Sequence, residues 1–319
     1  MSGTIKGIKV LELTQIMAGP TCGLLLADLG AEVIKIEKIQ GGDDTRRFLP
    51  PDVNGEAAAF MMMNRNKKGL ALDLKSKEGV EIFKTLVKHS DVVIENFRKG
   101  TLERLGIGYD VMSKINPKII LCEISGYGRT GPYSDKGGFD LIAQGMSGLM
   151  SITGESADKP PVKVGAPLTD ITAGLLAATG ILAALIHREK TGEGQIVDTS
   201  LYEAGIVHTY WQSAIASATG ESPGPLGSAH PLTAPYQAFK TKDKWITVGA
   251  SNQNTWLKLL KALGREDLQK NQKFLDNKSR KKNLEELVKI LNEELIKKNS
   301  DEWLKIFDEN GLPCGPIYS

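Results

Sequence analysis

The chain has 319 residues, 41% hydrophobic and 24% charged, with a net charge of +2 at neutral pH. These proportions describe an ordinary globular protein with enough apolar content for one large core or two. The near-neutral balance gives no reason to expect nucleic acid or a membrane surface as a partner. Three widely spaced cysteines, Cys22, Cys122 and Cys314, form no CxxC pair and no metal-ligand spacing, so a reducing compartment is expected and a disulfide framework is not.

The N-terminal MSGTIKGIKVLEL lacks both a signal-type apolar core and an Arg/Ser-rich presequence, and cytoplasm is the expected location. Ile8–Leu13 reads as a first strand, Gln15–Pro20 as a turn, Thr21–Leu29 as a small-residue helix ending at Gly30, and Ala31–Glu37 as a second strand. That order is a βαβ unit with parallel strands. A Gly/Asp/Pro loop follows, then a basic patch (Arg65, Lys67, Lys68) leading into ALDLK, and a helix over Lys77–His89. Strands over Asp91–Phe97 and Lys118–Ile124 continue the alternation, which predicts a doubly wound α/β domain.

Gly126–Tyr133 contains G-x-G-x-x-G, but Pro132 and Tyr133 follow the third glycine where a dinucleotide fingerprint needs a helix, so a plain glycine-rich loop is expected. Phe139–Met150 predicts a buried helix. Ile171–Ile186 is an uncharged run of sixteen residues, roughly 24 Å of helix and short of the ~20 residues a bilayer crossing needs. A buried helix with small residues for close packing is the expectation. Ser200–Ala218 reads as one long helix and Gly220–Pro235 as a linker or lid loop. Tyr236–Lys240 and Trp245–Gly249 read as a hairpin. Helices follow over Thr255–Leu263, Lys282–Lys297 and Asp301–Glu309, the last capped by Ser300.

Asp170, at the mouth of the uncharged helix, has two readings. Aspartate there is a favoured N-cap; a carboxylate can also be a nucleophile carrying a covalent acyl group. Position alone does not choose.

Ten motifs, in order, resemble one family, the class III CoA-transferases (the formyl-CoA transferase and carnitine dehydratase-like group), from Gly7 to Pro316. They are QIMAGP at 15–20, GAEVIKIE at 30–37, GDDTR at 42–46, NRNKKGLALDLK at 64–75 and DVVIENF at 91–97. GYGRTGP at 126–132, TDITAG at 169–174, TGEGQ at 191–195, APYQAFKTKD at 234–243 and GLPCGPI at 311–317 complete the set. The chain is most similar to the succinyl-CoA-dependent dicarboxylate transferases, including the glutarate type.

The resemblance implies a Rossmann-like doubly wound α/β domain over 1–220, a linker loop and smaller α/β domain over 221–319, and an interlocked homodimer. Asp170 falls where the family has its nucleophile and Gln15 where a residue positions the acyl group. Coenzyme A contacts would come from Ile16, Ala18, Lys38, Leu72, Lys75, Asn96, Phe97, Arg98 and Arg104. Their cations suit phosphate recognition. The substrates implied are an acyl-CoA and a free carboxylic acid, with coenzyme A bound as part of the substrate, no separate cofactor and no metal. A racemase branch shares the fold, but its histidine would stand at Phe139. A non-catalytic CoA-binding protein is the remaining alternative, and a nicotinamide dehydrogenase is more remote. The family pattern usually continues past GPI, so a shortened chain is expected.

Overall fold

The computed structural model describes residues 3–319. They form two compact units, one holding the residues up to Met150 together with Lys163–Thr209, the other Ser151–Val162 and Tyr210–Ser319. The division expected at 220/221 falls instead after Thr209, and the detached segment Ser151–Val162 joins the second unit. Gly227 N donates to Gly154 O at 2.8 Å, one of the ties that places that segment there.

The first unit is built on six parallel strands, β1 (Lys9–Glu12), β2 (Glu32–Glu37), β3 (Lys68–Ala71), β4 (Val92–Glu95), β5 (Ile120–Ser125) and β6 (Ile196–Ser200). Their order across the sheet is β3-β2-β1-β4-β5-β6. The order reverses between β1 and β4, and crevices outside the carboxyl ends of strands at such a switch point are where open α/β sheets bind ligands. β4 is buried at every position, as a central parallel strand covered on both faces must be.

Helix α1 (Ala18–Asp28) follows β1, α2 (Lys77–Lys88) follows β3, and α3 (Asp140–Met146) precedes the long α4 (Leu168–Thr191). By length and composition α4 is apolar enough to cross a membrane. One stripe of it (Ala173, Ala177, Ile181, Ala184, Leu185) is instead the core against α1, β4 and β5. Its small residues set how close the neighbours come. A Cβ on Gly174 would lie 2.7 Å from Ala18 O and 2.8 Å from Thr21 Cβ, so α1 and α4 touch through that glycine. At the far end Arg188 is buried and pairs with Asp91 at 2.9 Å.

Ser200–Ala218 is not one helix. It divides into α5 (Leu201–Val207) and α6 (Tyr210–Thr219), and His208, expected mid-helix, sits at the break with Nε2 2.7 Å from Thr172 Oγ1. The second unit carries the antiparallel strands β7 (Tyr236–Lys240), β8 (Trp245–Gly249) and β9 (Cys314–Pro316), in the order β9-β8-β7. Besides α6 and a short helix at Asn277–Lys282 it holds α7 (Gln253–Leu263), α8 (Leu284–Leu295) and α9 (Ser300–Glu309). Trp256, Phe274, Leu291 and Phe307 centre the core. Asn299, not Ser300, stands at the cap position of α9, and its N–H donates to Glu302 Oε2 at 3.0 Å, the Glu half of a capping box.

Gly174→Val is expected to lower stability by about 1–3 kcal/mol through overpacking against the α1 backbone, read as a lower urea midpoint. An unchanged midpoint would mean that the α1–α4 contact is loose.

Candidate active site

At the carboxyl ends of β1, β4 and β5, a cavity of about 270 Å³ is bounded by Gln15–Ala18, Asn96–Lys99, Ile124–Gly126, Arg129, residues 134–139, Leu201 and Asp170. Two of its walls meet through glycines: a Cβ on Gly126 would lie 2.8 Å from Gly138 Cα. Side chains at either position would push these loops apart.

Asp170 is the third residue of α4 and caps nothing; Pro167 stands at the cap position and makes no side-chain bond. The orphan N–H of Thr169 is taken by Asp140 from the start of α3. Asp140 Oδ1 accepts from Thr169 N at 2.9 Å and from Thr169 Oγ1 at 2.7 Å, and its Oδ2 accepts from Gln144 Nε2 at 2.8 Å. The capping function that local sequence assigns to Asp170 therefore belongs to a residue thirty positions upstream. Asp170 is left without a hydrogen bond or counter-ion among the described residues. Burial, with the neighbouring Asp140 charge adding to it, pushes its carboxyl up to about 7.

The turn between β1 and α1 is pinned atom by atom. Asn96 Oδ1 accepts from Gln15 N at 3.0 Å while Asn96 Nδ2 donates to Gln15 O at 2.9 Å. Both ends of the Asn96 amide, expected to meet coenzyme A, are engaged by the backbone of Gln15. Ile16 is left-handed at φ 68°, and its N–H donates to the Asp43 carboxylate at 3.2 Å.

Of the residues singled out from sequence, Gln15, Ile16, Ala18, Asn96, Phe97, Arg98 and Asp170 meet around this one cavity. Lys38, Leu72 and Lys75 line a second cleft of about 220 Å³ walled by Leu13, Ile36, Leu74 and Leu105; Gln15 and Phe97 border both spaces. Lys38 is ion-paired with Asp44 at 2.8 Å. Arg104 lines neither space, and its Nη2 donates to Thr101 Oγ1 of the second cleft at 2.8 Å.

Sequence reasoning gave no role to Arg129, which sits inside the glycine-rich motif. It ties that loop to the sheet through Glu95, through Glu123 at 3.1 Å, and through the carbonyl of Phe97 at 3.0 Å.

A carboxyl whose folded pKa is raised favours the native state most at pH below its unfolded value of ~3.9, and that advantage is lost as pH rises toward the folded value. Asp170→Asn is therefore expected to stabilise the protein by ~2 kcal/mol at pH 8, seen as a rise in Tm of ~4–8 °C. The gain should shrink toward zero at pH 4. A gain independent of pH, or a loss at pH 8, would contradict a buried, unpartnered carboxylate.

The profile of CoA-transferase family III matches residues 5–319. The chain is 42% identical over 315 residues to the succinyl-CoA:glutarate CoA-transferase of Mus musculus, spanning 99% of this chain and 72% of that protein. It is 37% identical over 313 residues to the succinyl-CoA–D-citramalate CoA-transferase of Chloroflexus aurantiacus, spanning 98% and 78%. The crystal structure of a CaiB/BaiF family protein from Brucella suis aligns with a TM-score of 0.87 at 40% identity, covering 100% of this chain and 85% of that one. Profile, relatives and fold agree: the chain belongs to CoA-transferase family III.

Proposed function

We propose that this protein transfers coenzyme A from an acyl-CoA, with succinyl-CoA the preferred donor class, to a free carboxylic acid through covalent intermediates on Asp170. The observation that carries the reading is the state of that carboxylate, unpartnered and mostly buried, with its proton affinity raised, in a cavity at the sheet's switch point. A carboxylate is a weak nucleophile in water. Removing its hydration and its hydrogen-bond donors makes it more basic and more reactive.

Asp170 attacks the thioester carbonyl of the donor; the C–S bond breaks and a mixed anhydride forms as the thiolate leaves. The thiolate attacks the aspartyl carbonyl and expels the donor acid as its carboxylate, leaving an aspartyl-CoA thioester. The acceptor carboxylate then attacks that thioester, releasing thiolate and forming a second anhydride. Attack of thiolate on the acceptor's acyl carbonyl yields the new acyl-CoA and frees Asp170. Gln15, held by Asn96 beside the cavity, positions the acyl group. Lys38, Lys75, Arg98 and Arg104 supply cations for the phosphates, with the apolar second cleft suited to the adenine. A homodimer belongs to the same proposal, and the exposed apolar side chains Phe139, Leu141, Ile142 and Met146 support it.

Intact mass after brief exposure to succinyl-CoA is expected to show a succinyl- or CoA-sized adduct that hydroxylamine removes and that is absent in Asp170→Ala. Its rate of formation should rise about tenfold per pH unit up to pH ~7 and then level, because only the ionised carboxylate attacks. A folded protein without adduct across a panel of acyl-CoAs would overturn the reading.

A further inference from the structure

Beneath the β1–α1 turn lie four charges that the chemistry above does not use. Glu12, Lys35, Asp43 and Lys67 have side chains at most 2% exposed. Lys35 Nζ pairs with Glu12 and with Asp43, each at 2.9 Å, and Lys67 Nζ pairs with Glu12 at 2.8 Å. Two lysines against two carboxylates leave the cluster neutral. Buried ion pairs rarely outdo well-packed apolar side chains in stability, so stability alone does not account for four of them.

Their reach points to another task. Lys35 Nζ donates to Thr14 O at 2.8 Å, Asp43 accepts from Ile16 N at 3.2 Å, and Lys67 Nζ donates to Pro20 O at 2.8 Å. All three bonds end on the backbone of Thr14–Pro20, the stretch whose Gln15–Ala18 line the cavity together with Asp170. The stretch needs holding. Ile16 is β-branched with a positive φ, a strained conformation that persists only where its surroundings enforce it. Met17, at the cap position of α1, makes no side-chain bond, so the first turn of that helix is not fixed locally.

We propose that Lys35 and Asp43 are positioning residues of the transferase, holding Ile16 left-handed so that Gln15 and the first turn of α1 stay aligned with the acyl carbonyl at Asp170. The inference rests on the transferase reading. Neither residue touches substrate; both act through the turn.

The test is Lys35→Met/Asp43→Leu, which removes one charge of each sign and leaves the Glu12–Lys67 pair balanced. In the folded variant kcat is expected to fall at least tenfold, with KM for succinyl-CoA within about threefold and the pH midpoint unmoved. Asp43→Glu, which keeps every charge and displaces only the carboxylate, is the second variant and should lower kcat by a smaller factor with the same split. Either variant folded with the parent's kcat overturns the proposal. Loss of fold in both assigns the cluster to stability alone and overturns it too. A parent with no transfer activity is told apart from these outcomes; it sinks the transferase reading, and this inference with it.

Discussion

The hydrogen bonds from Thr169 to Asp140 are the interaction on which the rest of the site depends. A helix N-terminus carries orphan N–H groups and a partial positive charge, and an aspartate in its first turn would ordinarily be consumed by them. Here the capping oxygen comes from α3, and Asp170 escapes that use. The same arrangement places a second carboxylate beside it, so the group that satisfies the helix also raises the proton affinity of its neighbour. The favourable helix field and the unfavourable loss of water oppose each other, and the latter prevails.

Such a group needs rigid surroundings, and the packing provides them from several directions. Gly174 brings the α4 backbone against α1, the helix that begins at the Gln15–Ala18 wall. Gly126 and Gly138 let two loops of the cavity lining meet, and Arg129 fastens one of them to β4 and β5. The β1–α1 turn rests on a neutral, fully buried group of charges. Several of these contacts join residues distant in sequence, Gly174 with Ala18 and Glu12 with Lys67 among them, so the cavity's shape is a property of the assembled sheet and its helices.

That distance explains what the sequence revealed and what it hid. Apolar runs announced β1, β2, β4 and β5, and the turn KTKDK between two alternating segments gave β7 and β8 with their observed bounds. The uncharged run announced α4, although its true span reaches the charged residues beyond Ile186, where Arg188 is buried against Asp91. Local pattern left Asp170 open between cap and nucleophile because Asp140, which does the capping, is invisible to it. It joined α5 to α6 because no charge, glycine or proline marks the break at His208–Thr209. Asp170 and Gln15, singled out through their motifs, both line the cavity. Lys35 and Lys67 were not legible, since a lysine in a strand or a basic patch reads as surface until Glu12 and Asp43 fold around it.

The most direct measurement is the carboxyl titration of Asp170, followed by carbon-detected NMR on protein labelled at aspartate and assigned by its disappearance in Asp170→Asn. The account predicts a midpoint near 7 that moves down when Asp140→Asn removes the neighbouring charge. Ionisation in the ordinary carboxylate range near ~4, unmoved by that change, would mean that Asp170 is solvated or paired and would contradict the account.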